Sequence, residues 1–387
     1  MLKKARILLL SSAYLPLVGG SELAIKNITD RLSDFEFDLV TGRFSNDVPS
    51  WEKISNVNVY RVGSPGILAK FILPKALLPL FIFWKAFRLA RSNQYSAVHA
   101  FQASQAAGGG WLLKFLLPSL PFVVTVQEGK ELNKQGFLTR FTRRLIFQKA
   151  DSVTALSNYL REYVEKIKSD MPISVIPNGV DLENFSRQFS YGELTMLEEK
   201  LGIQPDDKVI ISVSRLVPKN GLDLLIEAIR VLNTQYPIHN TRYKLILVGT
   251  GPLEASLKLK VESLKLEDRV IFAGEVSHEE LPLYLKISDV FIRPSRSEGL
   301  GNAFLEAMAA GVPIIGTRVG GIPDFLDDRK TGLFSSHAPE DIAFKIRILL
   351  ENDKLRGEIT ANAAALVREK YDWEKIAREF RGLYNNF

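Results

Sequence analysis

The sequence predicts an α/β protein of two domains, each built on a doubly wound parallel sheet. Short apolar runs alternate with helical patterns along nearly the whole chain, which is typical of parallel sheets covered by helices on both faces. The alternation pauses over residues 178–206 and then restarts. The length of 387 residues also exceeds what one hydrophobic core usually holds. We therefore expect two sheets joined near the pause.

Twelve apolar runs have the length and composition of buried strands. In the first half they are ARILLL, FEFDLV, VNVYRV, SAVHA, PFVVTV, DSVTAL and ISVIP; in the second half they are KVIISV, YKLILVG, RVIFAG, DVFIRP and VPIIGT. We place the domains at residues 1–190 and 191–372, and expect a terminal helix at 373–387 to complete the first domain. Ligands bind such sheets beyond the carboxyl ends of the strands, so we expect the two domains to face each other across one cleft.

Composition excludes several classes of protein. The hydrophobic fraction of 46% and the charged fraction of 24% are typical of a soluble globular protein. No apolar stretch is long enough to cross a bilayer. The chain has no cysteine, which excludes disulfides and thiolate chemistry and fits a cytoplasmic protein. The apolar run Ile7–Leu10 is too short for a secretory signal, so we interpret the first residues as a buried strand.

Charge is distributed unevenly along the chain. Residues 1–187 carry a net charge of +9 and the remainder −3. Between Glu52 and Glu128 there are eight basic residues and no acidic one. This one-sided charge indicates an anionic partner, either a membrane surface, a phospholipid or a nucleic acid.

Two segments of the first half combine bulky apolar residues with cations. Residues 66–91 carry Lys85, Arg88 and Arg91 at three-residue spacing. In residues 137–149, the helical period predicts a cationic face and an apolar face; the first holds Arg140, Arg143 and Arg144, and the second Phe137, Leu138, Phe141 and Leu145. Such helices favour peripheral binding to the inner, anionic face of a membrane. The alternative is that the apolar faces only cover the sheet. A nucleic-acid partner is disfavoured because no binding motif accompanies the charge.

The segment 293–324 is a strand, a Ser/Gly-rich loop and a helix that opens near Asn302. Backbone amides and the helix dipole favour an anion at such a helix start. Glu298 lies in the loop and Glu306 about one turn into the helix. We interpret these carboxylates as contacts to different parts of one extended ligand. The alternative is a helix-terminal acid beside an unrelated surface acid.

Two further loops follow predicted strands. Arg215 and Lys219 lie after KVIISV, a position suited to a diphosphate leaving group, since cations stabilise the charge that develops on its oxygens. The alternative is a solvated surface. ILVGTGPLEASL contains a glycine loop at Gly251 and a helix start, which also fits ordinary turn chemistry.

Taken together, these segments resemble the family-four glycosyltransferases of the GT-B fold, over essentially the whole chain. The E-x7-E element of that family matches Glu298 and Glu306, within PS…EG…LEAMA.G.P…T..GG.P. Four other elements occur in the family's order: GG.E at Gly19, Gly20 and Glu22, PNGVD at 177–181, RLV…G…LL.A at 215–228, and G.GP at 249–252.

The resemblance implies two Rossmann-like domains and a retaining enzyme that moves a hexose from a UDP- or GDP-linked sugar to a glycan or lipid-linked acceptor. Glu298 would contact hydroxyls of the donor sugar, Glu306 the ribose and Arg215 the diphosphate. Other donor contacts would come from Gly19, Gly20, Lys219, Asn220, Gly251, Gly299, Leu300, Gly301 and Asn302. The leaving phosphate would help deprotonate the acceptor, without an enzyme nucleophile. The absence of a D-x-D triplet agrees with chemistry that needs no metal or other cofactor.

Three positions depart from the family pattern. Asn220 stands where the family has a second donor-binding lysine, so Lys219 would have to substitute. The family's H-x-H pair is reduced to VHAFQ, with His99 but Phe101, and a later His-Gly step is replaced by residues 127–129. Two interpretations of His99 are open: a catalytic group that faces the acceptor, or a buried histidine at a strand end.

Other activities compatible with this fold fit the motifs less well. A GT-B sugar-nucleotide epimerase would lack the E-x7-E setting, and a phosphorylase would need a cofactor-bearing lysine site. A dehydrogenase is disfavoured because no G-x-G-x-x-G follows the first strand. An inactive protein that binds sugar nucleotides or glycans stays open, because fold alone does not establish function.

Overall fold

The structure is a computed structural model that describes residues 4–17, 19–63, 72–127, 135–236 and 242–387. Its contacts form two compact units. The first consists of residues 1–178 and 373–387, and the second of residues 179–372. Within the described parts of the chain, no helix is long and apolar enough to span a membrane.

In the described residues, the first unit contains an eight-stranded sheet of order β3-β4-β2-β1-β5-β6-β7-β8. The strands are β1 (Ala5–Leu10), β2 (Phe35–Gly42), β3 (Trp51–Ile54), β4 (Val57–Val62), β5 (Ala97–Phe101), β6 (Phe122–Val126), β7 (Ser152–Ala155) and β8 (Ile173–Val175). The helices are α1 (Gly20–Arg31), α2 (Ile72–Ser92), α3 (Gln105–Leu116), α4 (Phe137–Lys149), α5 (Asn158–Glu165) and the C-terminal α14 (Trp373–Asn385). All strand pairs are parallel except β3 with β4.

Alternation along the strands sends side chains to two helix-covered faces. Ile7 and Leu9 of β1 share a core with α1 and α14. Leu10 points the other way and lies against Gly110 of α3, which packs in turn on α2 and α4. The sheet is therefore covered on both sides, which explains why its strands are almost continuously apolar.

In the described residues, the second unit contains a six-stranded sheet of order β11-β10-β9-β12-β13-β14, with every pair parallel. The strands are β9 (Lys208–Val213), β10 (Tyr243–Val248), β11 (Val270–Gly274), β12 (Val290–Arg293), β13 (Ile314–Thr317) and β14 (Leu333–Ser335). The helices are α6 (Leu182–Ser186), α7 (Tyr191–Lys200), α8 (Leu222–Gln235), α9 (Glu254–Ser263), α10 (Leu281–Lys286), α11 (Asn302–Ala309), α12 (Pro339–Glu351) and α13 (Asp353–Lys370).

This sheet too is covered on both faces. Val290 and Ile292 of β12 join the core formed with α8 and α12. Phe291, between them, meets the ring of Phe304 on α11, with ring centroids 5.0 Å apart. The prediction of two α/β units with parallel sheets is therefore confirmed, and all twelve predicted strands are present. The sequence analysis missed β3 and β14, which are short edge strands of four and three residues.

The boundary between the units differs from the predicted position at 190/191. The structure divides the chain at 178/179, because α6 packs with the second unit. Phe185 of α6 is buried, and the Asn184 side chain donates to the backbone oxygen of His278, 3.0 Å away. The terminal helix α14 belongs to the first unit.

Candidate functional site

The strand order of the second sheet reverses between β9 and β12. The chain proceeds from β9 to β10 and β11 on one side, and β12 begins the other side. At such a reversal, a doubly wound sheet binds ligands in a crevice beyond the carboxyl ends of the two central strands, lined by the loops that follow them; we call it the donor-side crevice. The loops concerned are residues 214–221 and 294–301, which carry most of the predicted donor-site residues.

Arg296 fastens these two loops together. Its guanidinium makes two hydrogen bonds of 2.9 and 2.8 Å to the carboxylate of Asp223 in the first turn of α8, and a third of 2.6 Å to the Pro218 oxygen. Its backbone N–H donates to the oxygen of Lys219 at 2.6 Å. Burial alone would raise the pKa of Asp223, but the hydrogen bond and charge of Arg296 outweigh it and lower that pKa. The two loops are thereby held as one unit.

Two glycines allow the backbones to approach this closely. Gly221 has a φ of +67°, and a Cβ there would lie 2.1 Å from the oxygen of Pro294. Gly320, in the loop after β13, has a φ of +54°, and a Cβ there would lie 1.7 Å from the oxygen of Glu298. Neither position accepts a side chain in this arrangement. The backbone of Glu298 is therefore held in place by the loop that follows β13.

The carboxylate of Glu298 is nearly buried and is oriented by a buried arginine. Nη2 of Arg293 donates to Oε2 of Glu298 at 2.6 Å, and the N–H of Gly299 donates to Oε1 at 3.0 Å. Arg293 is held by Ser295 Oγ and the Val213 oxygen, and its guanidinium lies over a phenylalanine ring. Because Arg293 ends β12, the sheet itself sets the direction of Glu298.

The loop 214–221 carries two cations, Lys219 and Arg215. Nζ of Lys219 is 3.8 Å from Oε1 of Glu298. Arg215 is exposed, and within the described residues its guanidinium has no hydrogen-bond or ion-pair partner. Asn220 is 3% exposed, and its Nδ2 donates to the Arg215 oxygen at 2.7 Å. Asn220 thus supports the backbone of Arg215 and does not offer its side chain to a ligand, which corrects its assignment as a donor contact.

Residues 299–302 lead directly into α11, whose N-cap is Gly301. The Leu300 side chain is buried, so only the backbone of this residue could contact a ligand. Glu306 follows Asn302, the first residue of α11, by four positions. Its Oε1 is 3.2 Å from Nε2 of His278. Gly251 is packed against the backbone of Leu216, which links a third loop to the same region. The arrangement can hold an elongated anion, with cations and helix-start amides at its centre and carboxylates for hydroxyl groups.

Residues 195–366 match the family described as Glycosyl transferases group 1, and residues 18–184 match the one described as Glycosyltransferase Family 4. The two matches leave few residues of the chain uncovered. The chain belongs to the group 1 glycosyltransferases.

Similar proteins agree with this assignment. The chain is 27% identical to the alpha-monoglucosyldiacylglycerol synthase of Acholeplasma laidlawii, over 98% of this chain and 96% of that protein. Among solved structures, sucrose-phosphate synthase from Thermosynechococcus elongatus matches with a TM-score of 0.85 and 21% identity, over 99% of both chains. HepE from Anabaena, crystallised with UDP-glucose, matches with a TM-score of 0.78 and 22% identity, over 99% of this chain and 100% of that chain. These structures show that the fold of this glycosyltransferase is GT-B.

In the first unit of this glycosyltransferase, the strand order reverses between β1 and β5. Gly19 is the N-cap of α1 and Gly20 its first residue. The loops that follow the two strands are joined by a hydrogen bond of 3.0 Å from Gln102 to Ser21 and by the hydroxyls of Ser12 and Ser104, 3.3 Å apart. This edge is the counterpart of the donor-side crevice. The part played by Gly19 and Gly20 in donor binding stays a prediction.

The structure does not support a catalytic role for His99. The side chain is fully buried; Nδ1 lies 2.7 Å from the Tyr384 hydroxyl and Nε2 2.6 Å from the Thr125 hydroxyl. Strand alternation turns His99 and Phe101 toward α14, and burial lowers the pKa of His99 to about 3. A neutral histidine with both nitrogens bonded cannot reach a substrate, so His99 is a buried structural residue. Residues 128 and 129 lie outside the described part of the chain.

The cationic helices of the first unit also differ from expectation. Arg143 is buried and donates to the Ala103 oxygen at 3.1 Å, so it does not join Arg140 and Arg144 on an outer face. Residues 66–71 of the 66–91 segment lie outside the described part of the chain, and the remainder of the segment belongs to α2. The side chains that are exposed on α2, α3 and α4 are large and apolar: Leu77, Leu80, Phe81, Trp84, Phe115, Leu116, Phe137, Leu138 and Phe141.

Three residues of the donor-side crevice were missed by the sequence analysis. Arg293 and Arg296 both lie inside the segment 293–324, but two cations three residues apart give no indication of which side chain faces inward. His278 lies in a loop that contains no recognised element. The alternation of side chains along β12 could have predicted on which face of the sheet Arg293 lies. The position of Arg296 depends on its contacts with the loop 214–221, which the sequence alone does not show.

Proposed function

We propose that this enzyme is a retaining, metal-independent glycosyltransferase that takes a hexose from a nucleoside-diphosphate sugar. The observation that supports it is the pair of loops joined by Arg296 at the β9/β12 reversal. Those loops carry Arg215, whose guanidinium has no partner among the described residues, together with Lys219, a helix start and the Glu298 carboxylate that Arg293 holds. The UDP-glucose in the similar HepE structure is in accord with such a donor.

In this proposal the diphosphate lies between Arg215, Lys219 and the amides at the start of α11. Arginine and lysine stabilise the negative charge that develops as the nucleoside diphosphate leaves, which is the role a metal ion plays in other transferases. Arg215 is suited to this because its guanidinium has no partner to give up among the residues that the structure describes. Lys219 takes the place of the family's lysine, since Asn220 is committed to the loop backbone.

Glu298 accepts hydrogen bonds from sugar hydroxyls and is not the nucleophile. Its two oxygens already face Arg293, Gly299 and Lys219, so their lone pairs are engaged and not available for attack on the sugar. Retention then requires attack on the same face that the leaving group vacates. The acceptor oxygen forms its bond to C1 as the C1–phosphate oxygen bond breaks, and the acceptor proton passes to the leaving phosphate.

The acceptor is a lipid or a lipid-linked glycan at an anionic membrane surface, on the cytoplasmic side. Three neighbouring helices, α2, α3 and α4, expose large apolar side chains, and Arg88, Arg91, Arg140 and Arg144 lie among them. In α2, Leu77, Leu80, Phe81 and Trp84 follow one helical face, while Leu78, Ile82 and Ala86 bury the other. Cationic, aromatic faces of this kind bind anionic leaflets. The Acholeplasma relative is named as the synthase of a diacylglycerol glycolipid, which is in accord with a lipid acceptor.

Donor binding is tested by calorimetric melting with UDP, GDP and their hexose conjugates. A ligand at one hundred times its Kd stabilises the folded state by about 2.7 kcal/mol. We expect one nucleotide series to raise the melting transition, and turnover of its sugar conjugate to persist in EDTA. Lys219→Met and Arg215→Met should each weaken binding about tenfold, and Lys258→Met on the surface of α9 should leave it unchanged. Absence of binding by every nucleotide would overturn the proposal, and loss of turnover in EDTA would overturn its metal independence.

Membrane binding is tested by co-sedimentation with vesicles that contain phosphatidylglycerol. We expect binding to anionic vesicles and a loss of at least fivefold in Phe137→Ser/Phe141→Ser, since each exposed phenylalanine contributes apolar area to the lipid contact. Leu259→Ser, an equally exposed apolar residue in the second unit, is the matched control and should bind like the wild type. Equal binding by all three proteins would contradict the assigned surface.

A further inference from the structure

The side chains of His278 and Glu306 are in contact, and none of the donor-site roles described so far accounts for this contact. Nε2 of His278 lies 3.2 Å from Oε1 of Glu306, and the Glu306 side chain is only 12% exposed. Because a carboxylate can only accept a hydrogen bond, Nε2 must carry the proton. Within the described residues, Oε2 of Glu306 has no hydrogen-bond partner. One oxygen is therefore held and the other is left for a ligand.

The imidazole is held in place by α6, the short helix that follows the PNGVD element. The ring of Phe185 meets the ring of His278 edge to face, with centroids 4.9 Å apart and an interplanar angle of 75°. Asn184 donates to the backbone oxygen of His278 at 3.0 Å, and its own N–H donates to Asp181 at 3.1 Å. Asp181, the last residue of the PNGVD element, therefore caps α6, and α6 packs against the loop that carries His278.

The electrostatic surroundings favour a proton on His278. Burial alone would lower the pKa of His278, but the hydrogen bond and charge of Glu306 and the charge of Asp181 outweigh it and raise that pKa. The flanking Glu279 and Glu280 are exposed. A proton on Nε2 lets His278 hold Oε1 of Glu306, and the second carboxylate oxygen can then accept hydrogen bonds from hydroxyl groups at both of its lone pairs.

Position along α11 indicates which hydroxyls Glu306 meets. Glu306 lies about one turn beyond the helix start, and one turn advances about 5.4 Å. If the helix start binds the diphosphate, this displacement is comparable to that from the α-phosphate to the ribose ring. In that case a carboxylate oxygen at that point would face the vicinal 2′- and 3′-hydroxyls of the ribose.

We propose that His278 is a positioning residue for the donor nucleotide, which holds Oε1 of Glu306 so that Oε2 accepts hydrogen bonds from the ribose hydroxyls. This inference rests on the proposed function, because it needs a nucleotide at the start of α11. His278 does not touch the reacting atoms, so its effect is on nucleotide affinity and not on the chemical step.

The test compares UDP with 2′,3′-dideoxy-UDP, or the guanine pair if the wild type binds GDP, by titration calorimetry. We expect the wild type to prefer the ribonucleotide. His278→Ala should weaken ribonucleotide binding about five- to tenfold and leave dideoxynucleotide binding within twofold of wild type. His278→Gln, whose amide nitrogen reaches the position of Nε2, should restore most of the preference, whereas the shorter His278→Asn should not. Glu279→Ala, in the same loop, is the control and should match the wild type.

The outcomes separate the two ideas. Failure of the wild type to bind any nucleoside diphosphate would overturn the proposed function and this inference with it. Binding by the wild type with equal losses for both nucleotides in His278→Ala, or with no loss for either, would overturn the inference alone. A variant that does not fold is recognised by its melting curve, and the Gln and Asn pair then decides: equal ribonucleotide affinity in these two variants would also overturn it.

Discussion

Replacement of Arg293 by methionine tests whether the buried Arg293–Glu298 pair holds the donor-side loop. The substitution keeps the apolar stem but removes the guanidinium that donates to Oε2 of Glu298 at 2.6 Å. The side chains of the two residues are 7% and 11% exposed, so the carboxylate would stay in a largely dry environment without its main partner. Loss of one partner from a buried pair costs about 3–5 kcal/mol.

The remaining contacts place the expected cost at the lower end of that range. Gly299 N–H and Lys219 still face Oε1 of Glu298, at 3.0 and 3.8 Å. A loss of about 3 kcal/mol corresponds to a fall in Tm of roughly 6–12 °C for a unit of this size. Glu298→Gln in the Arg293→Met background removes the stranded charge, so the double variant should regain about 1–3 kcal/mol relative to Arg293→Met.

Differential scanning calorimetry and tryptophan fluorescence together assign the change to a unit. All four tryptophans belong to the first unit, so fluorescence reports unfolding of that unit and not of the second. Arg293→Met should lower a calorimetric transition and leave the fluorescence midpoint unchanged. A Tm within 2 °C of wild type, or a double variant no more stable than Arg293→Met, would refute the reasoning.

Gly320→Ala should reduce turnover at least tenfold and cost about 1–3 kcal/mol, because its Cβ would lie 1.7 Å from the Glu298 oxygen at a φ of +54°. Gly357→Ala, inside α13 with no atom within 4 Å of the added Cβ, should raise the free energy of unfolding by about 0.5–1 kcal/mol; the opposite order of stability would contradict both assignments. Burial lowers the pKa of His99 from 6.5 to about 3, so between these two pH values the unfolded chain binds one more proton at this residue; the first unit should therefore lose about 1.4 kcal/mol of stability for each unit by which the pH falls within that window. The free energy of unfolding of the first unit can be measured at several pH values by urea unfolding, followed by tryptophan fluorescence. It should depend less steeply on pH in His99→Gln than in the wild type, and an equal dependence on pH would contradict a neutral buried histidine.

The fold could be predicted because its strands are buried on both faces. Runs such as KVIISV and ARILLL are apolar at successive positions, and their boundaries correspond to β9 and β1. The missed strand β3 has alternating exposure and pairs antiparallel at the sheet edge, so its sequence lacks that signal. The domain boundary was placed too late because α6 looks like linker until Phe185 is seen to be buried in the second unit.

The candidate site was predictable where local sequence decides geometry. Glycines and carboxylates after parallel strands identified the loops that carry Glu298 and Lys219. The direction of a side chain depends on the partners brought by other loops, which sequence spacing does not reveal. Arg143 turned inward to the Ala103 oxygen and His99 was enclosed by α14 for this reason.

The central claim is that the crevice at the β9/β12 reversal binds a nucleoside-diphosphate sugar, with Glu306 at the nucleotide and Glu298 at the sugar. The most direct measurement is nucleotide affinity and donor turnover in Glu306→Gln and Glu298→Gln, side by side. We predict that Glu306→Gln weakens binding of the nucleoside diphosphate about tenfold, whereas Glu298→Gln binds it like the wild type and loses turnover. Equal losses of nucleotide affinity in the two variants, or unchanged affinity in both, would contradict the claim.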